Sequence, residues 1–264
     1  MRARQTGGGS AINGILALLS ASIFVVTAVE AGLAAEIQNP GLLKPERIRI
    51  FNASTSLSAE ELADIEARLE CRFSAEVEVL ESPRLRMSQA NPTAQRAYSR
   101  TRRQYRAGLV LDDLVGRLEN ADSTVTFQFV LVDADLFDGP YNFLFGMSDL
   151  SKFIGVYSTY RLLPSPGPIK RSDPIQSRGL LVERLVKLLS KNTAKMAGLT
   201  RSKQCIMRWP NSVGDLDRIP NYFCESDAAA LKAAEILIAC EAPIALDADR
   251  GAPLQMTSGA AFHR

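Results

Sequence analysis

From Arg47 onward the apolar residues switch repeatedly between a two-residue and a helical repeat, and those switches mark out the elements. Arg47–Phe51 alternates charged and apolar positions, as a strand with one covered face does. Ser58-Ala-Glu-Glu61 is a capping-box start, after which Leu62, Ile65 and Leu69 recur at helical spacing. Val77–Leu80 is a short strand. The stretch 83–106 is polar, holds seven arginines and is expected to be a connection. Leu109–Leu118 returns to the helical repeat, with Leu111, Leu114, Val115 and Leu118 on one side. Val125–Val132 and Ile154–Tyr157 are rich in the β-branched and aromatic residues of strands. A breaker-rich loop, 164–174, carries four prolines and precedes an amphipathic helix at Leu180–Ala197. A final Ala-rich helix is expected at Ala228–Ile238. This order predicts an α/β (α+β) class, a mixed β-sheet flanked by helices in a single domain.

The two ends read differently. Arg2 and Arg4 precede an apolar run, Ile15–Val29, and Gly32-Leu33-Ala34 then fits a small-x-small cleavage site. The run is shorter than the roughly 20 residues a membrane-spanning helix needs. Residues 1–35 are therefore expected to be a signal peptide, or an N-terminal anchor if uncleaved, with 36–244 the folded domain. Residues 245–264 are small, polar and without periodicity, a disordered tail. The domain is expected to be exported, periplasmic or secreted, touching a membrane only through an uncleaved first segment. A formal net charge of +2 gives no argument for nucleic acid. The seven arginines of 83–106 are expected to be solvated, with an acidic partner or anionic membrane face as the alternative.

Candidate chemistry narrows quickly. The one histidine is His263, in the tail, which excludes a His-based zinc site and any Cys–His or Ser–His pair in the domain. Within Glu183–Met207, however, Gly198 stands where the glycine of H-E-x-x-H-x-x-G-x-x-H would stand. Counting from it puts Lys191, Asn192, Lys195 and Arg201 at the positions of the three histidines and the glutamate. Around this stretch lie Leu69-Glu-Cys-Arg-Phe73, Gln104-Tyr105, Val132-Asp-Ala-Asp-Leu-Phe137, Asn142-Phe-Leu-Phe-Gly146, Cys205-Ile-Met207, Asn211-Ser212, Asp215-x-Asp217-Arg218 and Phe223-Cys224. With these blocks in this order, the chain from Arg47 to about Asp227 resembles the archaemetzincins, metzincin-like zinc metallopeptidases, as a degenerate member without the zinc ligands.

The resemblance implies a metzincin-like fold, no catalytic residues, no metal and no cofactor, although zinc is expected for the family. It also implies that Cys205 and Cys224 match two ligands of one structural zinc, with Ser202 and Asp227 replacing the other two. Four cysteines in an exported chain allow three disulfide pairings. The resemblance favours Cys205–Cys224, which leaves Cys71 with Cys240. Asn142, Phe143 and Gly146 would lie near an edge strand that a peptide joins, and Met207 beneath the former metal, so these four mark a possible binding cleft. An extended peptide or protein is the expected partner. Lys191, Lys195 and Arg201 could converge as an anion pocket, or else point to water or pair with Asp215 or Asp217. Two other functions stay open: a metallopeptidase with a non-standard metal site on Asp133, Asp135, Asp215 and Asp217, and a structural envelope protein.

Overall fold

In the computed structural model, which describes residues 41–88, 91–118, 125–163, 174–200 and 202–238, the expected alternation is realised. The strands are β1 (Arg47–Asn52), β2 (Glu76–Glu81), β3 (Tyr98–Ser99), β4 (Gln104–Arg106), β5 (Thr126–Val132), β6 (Leu136–Phe137), β7 (Gly146–Asp149) and β8 (Ile154–Ser158). The helices are α1 (Ala59–Arg72), α2 (Pro92–Ala97), α3 (Ala107–Leu118), α4 (Pro174–Met196), α5 (Val213–Arg218) and α6 (Glu225–Ala233). Short 3-10 turns lie at Pro83–Leu85 and Cys205–Met207.

Five strands form the main sheet in the order β2-β1-β5-β8-β7. β7 is antiparallel to β8, and the other neighbours are parallel. β5 is buried along its whole length, as its near-continuous apolar run TFQFVLV requires of a strand covered on both faces. Its side chains divide by alternation. Phe127, Phe129 and Leu131 pack with Leu62, Ile65 and Leu69 of α1 and Leu181–Leu189 of α4. Val130 and Val132 pack with Val110, Leu111 and Leu114 of α3 on the opposite face. The helix start expected at Ser58 is a complete capping box, in which Ser58 Oγ accepts from Glu61 N–H and the Glu61 carboxylate accepts from Ser58 N–H.

Three sequence expectations are corrected. The stretch 83–106 is not loop throughout: it holds a 3-10 turn, α2, β3 and β4. Asn91 caps α2 and Pro92 opens it, but six residues are too few to display a helical repeat. The long helix begins at Pro174 rather than Leu180, because proline is compatible with a first turn whose N–H groups have no intrahelical acceptor. The last helix spans Glu225–Ala233 and stops short of Ile238. Beyond it Ile236 is buried and Leu237 bridges Phe73 in antiparallel fashion.

Candidate functional site

Arg184, Lys187, Lys191 and Lys195 follow one another on α4 at intervals of three or four residues and so share a face. That face lies against the segment 205–218. Arg184 is buried and bidentate to Asp217, Nε to Oδ1 at 2.6 Å and Nη2 to Oδ2 at 2.7 Å, while its Nη1 donates to the Leu162 carbonyl. Lys187 pairs with Glu183 at 2.9 Å and reaches the carbonyls of Leu216 and Asp217. Lys191, only 4% exposed, donates from Nζ to the Arg208 carbonyl at 2.8 Å. Lys195 is half-buried, and among the described residues its ammonium meets no oxygen acceptor.

What covers both lysines is Trp209. Lys191 Nζ lies 5.1 Å and Lys195 Nζ 5.6 Å from the indole centroid, within cation–π range. The two lysines therefore pair with neither Asp215 nor Asp217, which corrects that expectation. Arg201 lies outside the described residues. Trp209 was not foreseen; the available signal was that it is the chain's single tryptophan, two residues beyond Met207.

Asn192 and Gly198, the other described residues of the motif stretch, are engaged locally. Asn192 turns its amide back to donate to the Leu188 carbonyl at 2.7 Å, one helical turn away. An amide in that role has no basicity to offer a water molecule. Gly198 keeps its turning function at φ +106°, and the N–H of Leu199 closes the helix end on the Ala194 carbonyl.

Burial, and then the neighbouring Lys195 charge, lower the Lys191 ammonium to about 7; burial also lowers Lys195. A lysine whose folded value lies below its ordinary 10.5 loses its proton in the folded state first. Stability from this pair therefore rises as pH increases from about 7 toward 10.5. Thermal melts across that window are expected to show the rise, and Lys191→Met is expected to flatten it. An unchanged slope in the variant would assign the rise to other groups.

The four carboxylates considered as alternative metal ligands are all engaged. Asp133 accepts from the hydroxyls of Ser54, Thr55, Ser56 and Thr159 and from the Thr55 N–H. Burial pushes its carboxyl up, but these bonds outweigh it and bring it down to about 2. Asp135 is bidentate to Arg161 at 2.6 and 2.7 Å and also accepts from Gln104 Nε2. Asp215 accepts from Arg208, lies 3.7 Å from Arg218 and accepts the Asn211 N–H. Asp217 holds Arg184. Among the described residues no three His, Cys, Asp or Glu side chains are grouped to take a metal. The family's zinc does not fit the donors present at the motif positions: two ammonium groups and an amide donate there, whereas a metal needs lone pairs.

The two cysteines that the resemblance matches to a structural zinc are bonded to each other. Cys205 and Cys224 form a disulfide with Cα atoms 5.5 Å apart. The residues replacing the other two ligands meet each other, Ser202 Oγ donating to the buried Asp227. One bridge and one hydrogen bond thus tie this segment together. Cys71 is also disulfide-bonded; Cys240, its expected partner, lies outside the described residues. Replacing both Cys205 and Cys224 by serine is expected to cost about 3 kcal/mol, since the bridge closes a loop of 19 residues. Chemical denaturation of oxidised wild type and variant measures it, and equal midpoints would mean the loop is ordered without the bridge.

Of the cleft residues, Met207 is core at 2% exposure and Asn142 is exposed. The Asn142 carbonyl is held by Gln104 Nε2 at 2.8 Å, and Phe143 lies beneath the Arg161 guanidinium, 4.6 Å from its centroid. Gly146 begins β7 against the ring of Tyr157; a Cβ there would also meet the Val156 carbonyl at 2.7 Å. β7 ends the sheet, so among the described residues its outer edge has no partner strand.

Comparison with known proteins agrees with the fold. The profile of Peptidase family M54 matches residues 59–233. An archaemetzincin from Nanoarchaeum equitans is 31% identical over 132 residues, 49% of this chain and 64% of that protein, so the match spans less than two thirds of that relative. One from Archaeoglobus fulgidus is 28% identical over 161 residues, 61% of this chain and 84% of that one. The crystal structure of the A. fulgidus archaemetzincin complexed with malonate superposes with a TM-score of 0.50 at 25% identity, covering 70% of this chain and 99% of that one. By profile, sequence and fold, the chain belongs to peptidase family M54, the archaemetzincin family.

Proposed function

We propose that this member of the family is an exported pseudopeptidase that binds an extended peptide or protein segment without cleaving it. The observation that carries the reading is the Lys191 ammonium, which occupies a zinc-ligand position and donates to the Arg208 carbonyl. Asn192, at the position of the general base, is bonded into its own helix. Peptide binding needs neither group, because strand addition uses backbone hydrogen bonds at a sheet edge without a partner strand, and among the described residues β7 offers one. Disulfides persist in oxidising compartments, which favours export. The hydrolase alternative on Asp133, Asp135, Asp215 and Asp217 would first have to break ion pairs or hydrogen bonds at every one of them.

The test is elemental mass spectrometry of the full chain prepared from an oxidising compartment, alongside cleavage and binding assays on unstructured β-prone peptides. Zinc far below one per chain, no chelator-sensitive cleavage and saturable peptide binding are expected. Stoichiometric zinc with chelator-sensitive cleavage would overturn the reading. Absence of both cleavage and binding would leave a structural envelope role.

A further inference from the structure

We propose that Lys191 and Lys195, beneath Trp209, form a carboxylate-recognition site that reads an acidic group carried by the bound peptide. The proposal rests on the peptide-binding reading above and names the chemistry that the bound segment must bring. Its first support is the distribution of charge on α4. Arg184 is matched by Asp217 and Lys187 by Glu183, whereas Lys191 and Lys195 have no carboxylate among the described residues. Arg208, whose carbonyl holds Lys191, has its own partner in Asp215, so that acid is already committed.

The second support is convergence. Two ammonium groups one helical turn apart approach the same indole, at 5.1 and 5.6 Å. Like charges so placed repel one another, and an aromatic face compensates only part of their lost hydration. A single carboxylate has two oxygens and can accept from both amines at once.

The third support is the cover over the lysines, since Lys191 itself is only 4% exposed and a carboxylate reaches it only where the indole of Trp209 gives way. Trp209 is 51% exposed and Tyr141 54% exposed, and their rings lie 6.4 Å apart, an aromatic rim open to solvent on one side. Tyr141 is five residues before Gly146, which opens the free edge strand β7. Five residues span at most about 18 Å, so a peptide of a few residues added to β7 reaches the Tyr141–Trp209 pair. Gln104, through the Asn142 carbonyl, and Arg161, over Phe143, hold the intervening loop in place.

Because Trp209 is the sole tryptophan, its fluorescence reports this site directly. The full chain is titrated with end-blocked, alternating Val/Thr peptides carrying a central Glu or Gln, and with the Gln peptide bearing a free terminal carboxylate. Malonate is titrated separately against chloride at equal ionic strength. The Glu peptide is expected to bind about tenfold tighter than the Gln peptide or more, the range of a charge-assisted hydrogen bond. The double variant Lys191→Met with Lys195→Met is expected to erase that preference while still binding the Gln peptide. Should it fail to fold, Lys195→Gln alone replaces it, since among the described residues that ammonium bonds no oxygen. A gain with the free terminus and none with Glu would assign the site to a chain end. Equal Glu, Gln and free-terminus binding, with malonate no better than chloride, would overturn the carboxylate site and leave peptide binding standing. A saturable malonate response that the variant lacks, with no peptide bound, would uphold the site and overturn the peptide reading.

Discussion

Asp217→Ala is expected to destabilise the protein by about 3–5 kcal/mol, because it leaves a buried guanidinium without its counter-ion. Arg184 is almost fully enclosed and spends two of its three nitrogens on the Asp217 carboxylate. Its third nitrogen bonds the Leu162 carbonyl, so no other acceptor is offered to replace the acid. Total stabilities of domains run to about 5–15 kcal/mol, so this one change takes a large share. The effect should also reach the candidate site, since Asp217 belongs to α5 and follows the segment that carries Trp209. Urea denaturation measures the stability change, and Trp209 emission in the folded variant reports any displacement over the lysines. A loss below about 1 kcal/mol would mean that water or Asp215 takes over the guanidinium. Asp217→Asn separates charge from shape: it keeps an acceptor but no charge, and its loss should fall between wild type and alanine.

Phe129→Ala is expected to cost about 3–5 kcal/mol through a cavity that the sheet cannot close. Phe129 is fully buried in the middle of β5, and its ring meets Tyr157 edge-on with centroids 5.7 Å apart. Tyr157 in turn packs on Gly146, and its hydroxyl pairs with Ser148 on β7. Loss of the phenyl ring should therefore loosen the edge strand as well as the core. Guanidinium denaturation gives the first effect, and hydrogen exchange at the β7 amides gives the second. Exchange unchanged at β7 would show that Tyr157 keeps its place without Phe129. The double variant tests whether the two losses add, as they do for sites without shared partners.

Membership of a peptidase family does not by itself establish peptidase chemistry in this chain, because chemistry depends on the site residues rather than on the scaffold. Lys191, Asn192 and Lys195 each follow from the sequence by counting back from Gly198, and Gly198 itself does turn the helix end. The capping box at Ser58 and the strand β5 were equally legible, since both depend on residues adjacent in the chain. α2 was not, because six residues opened by proline present no repeat to detect. Nor was the true end of α6: Ile236 and Leu237 continue an apolar pattern, but the bridge of Leu237 to Phe73 is tertiary.

The sequence by itself determined that no histidine stands at the motif positions, which elements alternate, and which four side chains the resemblance matches to metal chemistry. The resemblance added that Cys205 and Cys224 are neighbours. Only the tertiary structure decided what occupies the space between them. It placed Trp209 over both lysines, gave Asp217 to Arg184 and Asp135 to Arg161, and joined Ser202 to Asp227. The reason is one of range. Periodicity and capping arise from contacts within a few residues and leave a trace in local order. The partner of a charged group is selected by approach in space between residues tens of positions apart, and a chain rich in both arginine and aspartate permits many pairings until the fold selects one.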